Sequence, residues 1–425
     1  MAWWSAVALV AALAGPAFGG VTGTVRVSVR SNGTQAKKDS FAPSVSSDGR
    51  FVAFDTKSGL VPADTNGASD VFVRALDTKR TNRVSVGPGG RQGSGGSFDA
   101  AISSDGRFVA FDSEATNLVR HDVNRASDIF IRDRSKGITR RVSVSSPGHQ
   151  ADADSYEPAI SGDGRFVAYT SYASNLVPYD VNRHSDVFVR DRRQGTTHRV
   201  SLSTSDHQGN GACFDAAISE NGRFVAFDSL SSNLVWADTN GVGDVFVRDR
   251  QLGKTVRASV NSRGVQGNHA SVTPTLSRDG HLVAFTSYAS NLVPNDSNRA
   301  PDVFVRDLST RRTVRVSVST AGHQGNGGSF NPVLSAGGRY VMFQSFATNL
   351  VTADTNGAAD VFVHDLVTGT TTRVSVGSGG SQAGGPSFRP SISGDGTVAA
   401  FESDAPLVFA DTNQARDVYA RNPLS

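Results

Sequence analysis

Three oxygen-bearing side chains recur together along this sequence, in the pattern Asp-x-Asn-x-x-x-Asp. In the first copy they are Asp64, Asn66 and Asp70, and Gly67 between them permits a sharp bend. Calcium takes about six to eight oxygen ligands, commonly from the first, third and fifth positions of a loop and from a later bidentate acid. The fifth position never carries a carboxylate here; in the first copy it is Ala68. One expected ligand is therefore absent from every copy.

Two interpretations of these loops remain open. The loops resemble truncated calcium loops of the EF-hand type or of integrin-type propeller repeats, which makes calcium the candidate ion. Alternatively, the Asp and Asn side chains form Asx-turns that satisfy the backbone N–H groups of the loop. The candidate calcium ligands are Asp64, Asn66, Asp70, Asp122, Asn124, Asp128, Asp180, Asn182, Asp186, Asp238, Asn240, Asp244, Asp296, Asn298, Asp302, Asp354, Asn356, Asp360, Asp411, Asn413 and Asp417.

The same pattern defines an internal repeat. Its copies begin 58 residues apart five times and then 57 residues apart. Two other markers recur in fixed order, an Arg-(Val/Ala)-Ser-(Val/Leu) segment and the glycine of an Asp-Gly-Arg-like turn, and each occurs seven times. Periods of this size are typical of solenoids and propellers. A glutamine also recurs in every copy, and we expect it to bridge backbone groups of neighbouring loops: Gln35, Gln92, Gln150, Gln208, Gln266, Gln324 and Gln382.

Each copy predicts four short strands. In the first copy they cover residues 41–46, 50–55, 70–74 and 83–86. The second and third are apolar on both faces and must be covered on both, whereas the fourth alternates and is half-exposed. This pattern indicates a propeller blade with the fourth strand at the rim.

The two ends of the chain predict ring closure. The chain opens with a lone fourth strand at residues 26–29 and finishes with the first three strands of the last copy, ending at Arg421. Pairing these remnants would complete one blade and remove both sheet edges. The predicted fold is therefore all-β: a single seven-bladed β-propeller of four-stranded antiparallel blades, occupying residues 20–425 and closed by pairing the N-terminal strand with the C-terminal blade.

The repeat resembles the WD40-like or TolB-type (PD40) propellers. The resemblance lies in segments such as Pro-Ala-Ile-Ser-Gly-Asp-Gly-Arg-Phe-Val-Ala-Tyr at residues 158–169, followed by Asp-Val-Phe-Val-Arg-Asp at 186–191. It implies either an interaction scaffold or a non-catalytic propeller of the kind attached to some peptidases. The chain has no Gly-x-Ser-x-Gly nucleophile elbow and no room for a hydrolase domain beside the propeller.

Composition narrows the partners and the compartment. The net charge is only +3, so the sequence predicts no nucleic-acid partner. Residues 3–18 form an uncharged, Ala-rich run, and we interpret residues 1–19 as a signal peptide that exports the protein to the periplasm or the medium. We expect a monomer with no membrane span in the mature chain. The single cysteine, Cys213, excludes an intrachain disulfide and stands where other copies carry Ser.

Residues that depart from the repeat are the candidates for a binding site. The two long connections of each copy must emerge on one face, hereafter the long-loop face, and binding residues concentrate on such loops. Trp236 and Tyr179 could stack on a sugar or anchor a peptide there. Four loop histidines are further candidates for ligand contact, but equivalent positions are too far apart for one zinc ion: His149, His184, His207 and His323.

These features favour an exported, non-catalytic scaffold that binds a protein, peptide or cell-envelope polymer such as a glycan through the long-loop face. The alternative is a secreted polysaccharide lyase or hydrolase with calcium support. An enzyme should show paired carboxylates or clustered His, Tyr or Arg at one mouth of the channel. The only irregular acids that the sequence offers for this role are Glu157 and Asp215, in adjacent copies. No catalytic residue is assigned.

Overall fold

The computed structural model describes residues 23–422 as a ring of seven four-stranded antiparallel sheets. The predicted signal peptide at residues 1–19 lies outside the described residues. Blade 1 consists of β2–β5, and blades 2 to 6 follow as successive groups of four strands; blade 7 consists of β26, β27, β28 and β1. A single 3₁₀ turn, Pro88–Gly90, is the one helical segment among the described residues.

The strands have the following bounds: β1 Thr24–Arg26, β2 Ser40–Val45, β3 Phe51–Thr56, β4 Asp70–Ala75, β5 Thr81–Arg83, β6 Ser97–Ile102, β7 Phe108–Ser113, β8 Asp128–Asp133, β9 Ile138–Arg141, β10 Ser155–Ile160, β11 Phe166–Ser171, β12 Asp186–Asp191, β13 Thr196–Arg199, β14 Cys213–Ile218, β15 Phe224–Ser229, β16 Asp244–Asp249, β17 Lys254–Arg257, β18 Ser271–Leu276, β19 Leu282–Ser287, β20 Asp302–Asp307, β21 Arg312–Arg315, β22 Ser329–Leu334, β23 Tyr340–Ser345, β24 Asp360–Asp365, β25 Thr371–Arg373, β26 Ser387–Ile392, β27 Ala399–Ser403 and β28 Asp417–Arg421.

The two middle strands of each blade are buried on both faces, as their apolar pattern predicts. In blade 1, Val52 and Phe54 pack toward blade 7, whereas Ala53 packs toward blade 2. The rings of Phe54 and Phe72, cross-strand partners on β3 and β4, are stacked with centroids 6.0 Å apart. Each hydrophobic core therefore lies between two blades, and the seven cores together form the ring.

The fourth strand is shorter than predicted and begins earlier in the sequence. In blade 1 it covers Thr81–Arg83, whereas the sequence predicts residues 83–86. In blade 1 it ends at Arg83, because Ser85 leaves the ladder and its hydroxyl donates to the Asp70 carboxylate at 2.6 Å. Ser85 is fully buried rather than half-exposed. The alternating pattern of this segment therefore reports a hydrogen bond to a buried carboxylate, and not a solvent-facing side.

The ring closes as the chain ends predict. Strand β1 pairs with β28, with Thr24 opposite Arg421. Beyond β1, the Val27 amide donates to the Val418 carbonyl at 2.8 Å, and Val27 is fully buried in the core between blades 7 and 1. The predicted pairing at residues 26–29 is thus shifted toward the N-terminus, but its partner is correct.

The short-turn end of the channel is tightly constricted. Backbone hydrogen bonds run from blade to blade around it, for example from the Ser104 amide to the Gly162 carbonyl at 3.1 Å and from the Gly162 amide to the Glu220 carbonyl at 2.9 Å. Just inside, the innermost strands contribute a ring of aliphatic side chains: Val45, Ile102, Ile160, Ile218, Leu276, Leu334 and Ile392. This end is therefore narrow and apolar. Within residues 23–422 no helix is long and apolar enough to cross a membrane.

Candidate binding site on the long-loop face

The Asp-x-Asn loops are held by ion pairs and hydrogen bonds within each blade. In blade 1, Arg83 Nη1 lies 2.9 Å from Asp70 Oδ2 and 3.5 Å from Asp64 Oδ1. Gln92 Nε2 donates to Asp64 Oδ1 at 3.0 Å, and Asn66 Oδ1 accepts from the Ala68 amide at 3.0 Å. An arginine thus lies between the two carboxylates of the loop, and the asparagine forms an Asx-turn.

The recurring glutamine connects the two long loops of one blade. The Gln92 side chain donates to an Asp carboxylate and accepts from the backbone amide of Thr65. The arginines of the Arg-(Val/Ala)-Ser-(Val/Leu) segments recur in the same way, and the sequence suggests strand-end acids such as Asp133 or Asp191 as their partners, which the structure does not bear out. Arg26 pairs instead with Asp417 at 3.2 Å and with Asp411, because the strand that carries it runs beside the Asp loop. Asp133 and Asp191 pair with the arginines that follow the Asp-Gly turn, Arg107 and Arg165.

Calcium in these loops remains a prediction, and its direct test is thermal unfolding. Among residues 23–422, no group of three or more His, Cys, Asp or Glu side chains is arranged to hold a metal ion. Because an arginine already lies between the two carboxylates of each loop, we expect the unfolding temperature to be the same in calcium and in chelator. An ion at a hundredfold excess over its Kd would add about 2.7 kcal/mol and several degrees. Asp64 Oδ2, which is buried without a hydrogen-bond partner, is the place to look for an ion if a shift is seen.

The structure places the predicted aromatic and histidine candidates around the outer part of the long-loop face. Trp236 is 95% exposed and Tyr179 is 88% exposed. Tyr179 and His149 line the same cavity of about 830 Å³ between blades 2 and 3. His184 and His207 are exposed in the two long loops of blade 3 and His323 in a long loop of blade 5, and none of the three lines this cavity.

A different set of residues lines the long-loop end of the channel, hereafter the funnel, with a volume of about 470 Å³. Each innermost strand carries a β-bulge at its third residue, where the register with the second strand shifts. The residue at each bulge has a φ of 45° to 54° although none is glycine. Left-handed backbone at a non-glycine residue costs energy and is concentrated at functional sites. These residues form the bulge ring: Ala42, Asp99, Glu157, Asp215, Thr273, Asn331 and Arg389.

Behind the bulge ring lies a second ring, contributed by the last residue but one of each second strand. Its side chains point to the bulge of the next blade: Glu402 Oε1 accepts from the Ala42 amide at 2.7 Å, and Gln344 Oε1 accepts from the Arg389 amide at 3.0 Å. The side chain at this position can accept a hydrogen bond from a bulge amide, and Thr, Gln, Asp and Glu all carry an oxygen that can do so. The second ring consists of Asp55, Asp112, Thr170, Asp228, Thr286, Gln344 and Glu402.

The two rings place seven acids in five consecutive blades, 7 and 1 to 4. Two arginines compensate part of this charge: Arg389 Nη1 lies 3.6 Å from Asp99 Oδ1, and Arg416 Nη1 lies 3.4 Å from Glu402 Oε2. In the described chain, no basic residue forms an ion pair with the four remaining acids of blades 2 to 4: Asp112, Glu157, Asp215 and Asp228. This side of the funnel therefore concentrates carboxyl groups that have no basic partner.

Burial and mutual repulsion raise the pKa values of these carboxyls. Burial, followed by the charge of Asp99, raises the pKa of Asp55 to about 7. Enclosure in the funnel, followed by the charge of Asp215, raises the pKa of Glu157 to about 7. Burial is also the main cause that raises the pKa of Asp112 and Asp228 well above the usual range. These four carboxyls therefore hold protons at pH values at which surface carboxylates are fully ionised.

Large apolar side chains are also exposed on the long-loop face, in an arc that overlaps the acidic blades 3 and 4 and continues to blade 6. They occupy the first position after the second strand in blades 3 to 6, and each is about half exposed: Tyr172, Leu230, Tyr288 and Phe346. Phe346 packs edge-to-face against Phe330 of the first strand, with centroids 6.2 Å apart. We call these four residues the aromatic arc. The same position in blades 1, 2 and 7 is occupied by Lys57, Glu114 and Asp404.

Sequence reasoning identified two of the funnel acids and missed the others. Glu157 and Asp215 do lie together at one channel mouth, and the side chain of Asp215 interacts with that of Glu157. Asp55, Asp112 and Asp228 were missed because they stand in strands that otherwise read as buried and apolar. A comparison of the seven copies column by column could have found them, since the two ring positions vary in type while their neighbours stay constant.

Comparison with known proteins supports the fold and leaves the role open. No family model and no curated protein matches the chain. An oligogalacturonate lyase in complex with manganese is similar over 95% of this chain and 94% of that one, with a TM-score of 0.55 and 13% identity. The tricorn protease is similar over 90% of this chain, with a TM-score of 0.50 and 14% identity, and the chain spans 33% of that protein.

A putative TolB from Agrobacterium tumefaciens is similar over 80% of this chain and 93% of that one, with a TM-score of 0.42 and 15% identity. The fold is a β-propeller of the kind these proteins contain. TolB structures are thus among its neighbours, as the sequence resemblance predicts. Identities this low show the fold alone, and a lyase and a protease share it.

Proposed function

We propose that this protein is a non-catalytic binding propeller that acts after export and seats part of a protein, peptide or cell-envelope polymer in the funnel. The observation that carries the proposal is the contrast between the two ends of the channel. The short-turn end is closed by a regular ring of backbone hydrogen bonds, whereas the long-loop end is open and irregularly lined. Repetition serves the fold, so the irregular lining is where selection for a ligand would act.

The strained bulge ring supports the same proposal. Its residues present their side chains at the channel although glycine would relieve the backbone strain at every position. The types at these positions differ from blade to blade, from Ala42 through Glu157 to Arg389. Because its side chains differ around the channel, this ring can recognise an asymmetric ligand, which a seven-fold symmetric ring cannot.

The test is binding with a blocked funnel. Peptide-display and glycan-array screens of the purified protein should yield ligands that no longer bind Asn331→Trp, which fills the funnel without changing its charge. A matched control, Thr368→Trp in the exposed turn between β24 and β25 on the opposite face, should bind as the parent does. Ligands that bind Asn331→Trp and the parent equally would contradict the proposal.

One observation favours a second candidate function, an acid–base enzyme. Glu157, whose pKa is raised to about 7, interacts with Asp215, and the paired carboxyls meet the expectation stated for an enzyme. A carboxylic acid with such a pKa suits general acid catalysis near neutrality. Turnover of any member of a panel of neutral and uronic-acid glycans, lost in Glu157→Gln while binding persists, would establish the enzyme and overturn the scaffold proposal.

Export and assembly state belong to the same proposal. The apolar run at residues 3–18 supports removal of a leader, and N-terminal sequencing of protein recovered outside the cytoplasm should find a start near residue 20. We expect light scattering to give the mass of a monomer, since the single cysteine is buried and cannot link two chains.

A further inference from the structure

We propose that the funnel binds a basic side chain, the ammonium of a lysine or the guanidinium of an arginine, presented by a peptide or protein partner. This inference rests on the proposed binding function and names the chemistry of its ligand. Two observations point to it independently of the number of acids: unpartnered buried oxygens behind the bulge ring, and an apolar lining that matches the stem of such a side chain.

The unpartnered oxygens belong to three consecutive blades. Asp112 Oδ1, Thr170 Oγ1 and Asp228 Oδ1 are buried and have no hydrogen-bond partner in the described chain. The three residues are 4%, 2% and 6% exposed. In blades 5 to 7 the side-chain oxygen at the same position accepts a hydrogen bond from a bulge amide, so these side chains are directed at the funnel wall. Buried acceptors left without donors cost free energy, which a bound donor would recover.

The arrangement of acceptors suits a cation with several donors. An ammonium offers three N–H donors and a guanidinium five. Asp99, Glu157 and Asp215 present carboxylates from three neighbouring blades toward one volume. No three of the described acids are clustered as metal ligands, so the spacing favours an extended organic cation over a single metal ion.

The apolar residues that line the funnel suit the aliphatic stem of a lysine or arginine side chain. Prolines follow the bulge in five blades and line the funnel: Pro43, Pro158, Pro274, Pro332 and Pro390. Lysine and arginine bury their methylene groups against apolar surface while the charged head finds polar partners. The aromatic arc then lies where the rest of the partner would rest, and aromatic side chains there contribute large contact area.

The existing arginine of the funnel shows how such a group is accommodated. Arg389 extends from blade 7 to Asp99 in blade 2, past Ala42 of blade 1, and approaches Glu402 at 3.8 Å. It covers one side of the acidic region and leaves blades 3 and 4 without a basic partner. The free acids of blades 3 and 4 therefore share their blades with the aromatic arc, which begins in blade 3.

The experiment is selection of peptides on the immobilised full-length protein, followed by titration of labelled peptides in solution. We expect the selected peptides to share a lysine or arginine at one position. Replacing it by norleucine or citrulline should weaken binding at least tenfold. Asp215→Asn should weaken binding of the parent peptide by a similar factor and leave binding of the norleucine or citrulline peptide unchanged. Asp77→Asn on the short-turn face should change the binding of neither peptide.

The outcomes separate this inference from the function on which it rests. Selected peptides that lack a basic residue but lose binding to Asn331→Trp would overturn the cation inference and keep the funnel as a binding site. Peptides that bind the Asp215→Asn and Asn331→Trp variants as tightly as the parent would overturn both the cation inference and the funnel as the binding site. Circular dichroism of each variant distinguishes loss of binding from loss of fold, and Asp99→Asn provides a second neutralising variant.

Discussion

Acidification from about pH 8 to about pH 5 should stabilise this propeller, which is the reverse of the usual behaviour of buried ion-paired carboxylates. Asp55 is buried, and its pKa is raised from 3.8 to about 7 in the folded protein. Between these values the folded state holds a proton that the unfolded state has lost, so stability falls as pH rises. The stabilisation is complete below the unfolded pKa and is lost as pH passes the folded pKa. For Asp55 alone, the unfolding free energy below the unfolded pKa exceeds that above the folded pKa by an amount on the order of 4 kcal/mol.

Asp112 and Asp228 act in the same direction, because burial raises the pKa of each well above its usual range. Two histidines with lowered pKa, His198 and His364, oppose the trend near their ordinary titration range. Comparison with a variant removes their contribution, since it is common to both proteins.

The measurement is denaturant unfolding as a function of pH for the parent and for Asp55→Asn and Asp112→Asn. In both variants the free energy of unfolding should depend less on pH than in the parent. Both should also be more stable than the parent at about pH 8, because the amide carries no ionisable proton. Asp77→Asn, in an exposed turn, should follow the parent curve. A parent protein whose stability rises steadily from pH 5 to pH 8 would show that the funnel carboxyls are ionised and paired.

Removing the N-terminal strand should be the most damaging truncation. Deleting residues 23–30 takes Val27 out of the core between blades 7 and 1 and also removes Val29, which is buried. It also leaves Asp417, which is fully buried, without Arg26 and the Ser28 hydroxyl. Lost apolar burial at about 1.5–3 kcal/mol per large side chain, and an unpaired buried carboxylate at about 3–5 kcal/mol, predict a loss of several kcal/mol. Thermal unfolding should show a large drop or an open, aggregating ring.

A circular permutant provides the matched control. Thr24 and Arg421 are paired, so a short linker from residue 422 to residue 23 would resemble the connection that joins β4 to β5 in blade 1. New ends placed in the exposed Pro88–Gly90 turn interrupt no strand. This permutant should unfold near the parent temperature. If the truncated chain unfolded at the parent temperature as well, the pairing of the ends would not be what holds the ring closed.

The local pattern of the sequence was sufficient for the strands, the blade and the ring. Period-two alternation, glycine turns and seven copies of three markers determine where strands begin, and the unequal ends determine that they close. The boundaries that differed have a simple cause: the predicted fourth strand of blade 1 included Ser85, whose hydroxyl binds the buried Asp70 carboxylate, and one sequence cannot distinguish a buried serine from an exposed one.

The funnel was decided by the tertiary structure. Asp112 and Glu157 lie 45 residues apart in different blades, and Arg389 and Asp99 lie 290 residues apart, yet each pair meets at the channel. Nothing local marks these positions, since an acid in the second strand reads as a break in an apolar run. The sequence by itself determined the repeat and hence the scaffold. Only closure of the ring brought the residues that depart from the repeat to one point, because seven blades share a single axis.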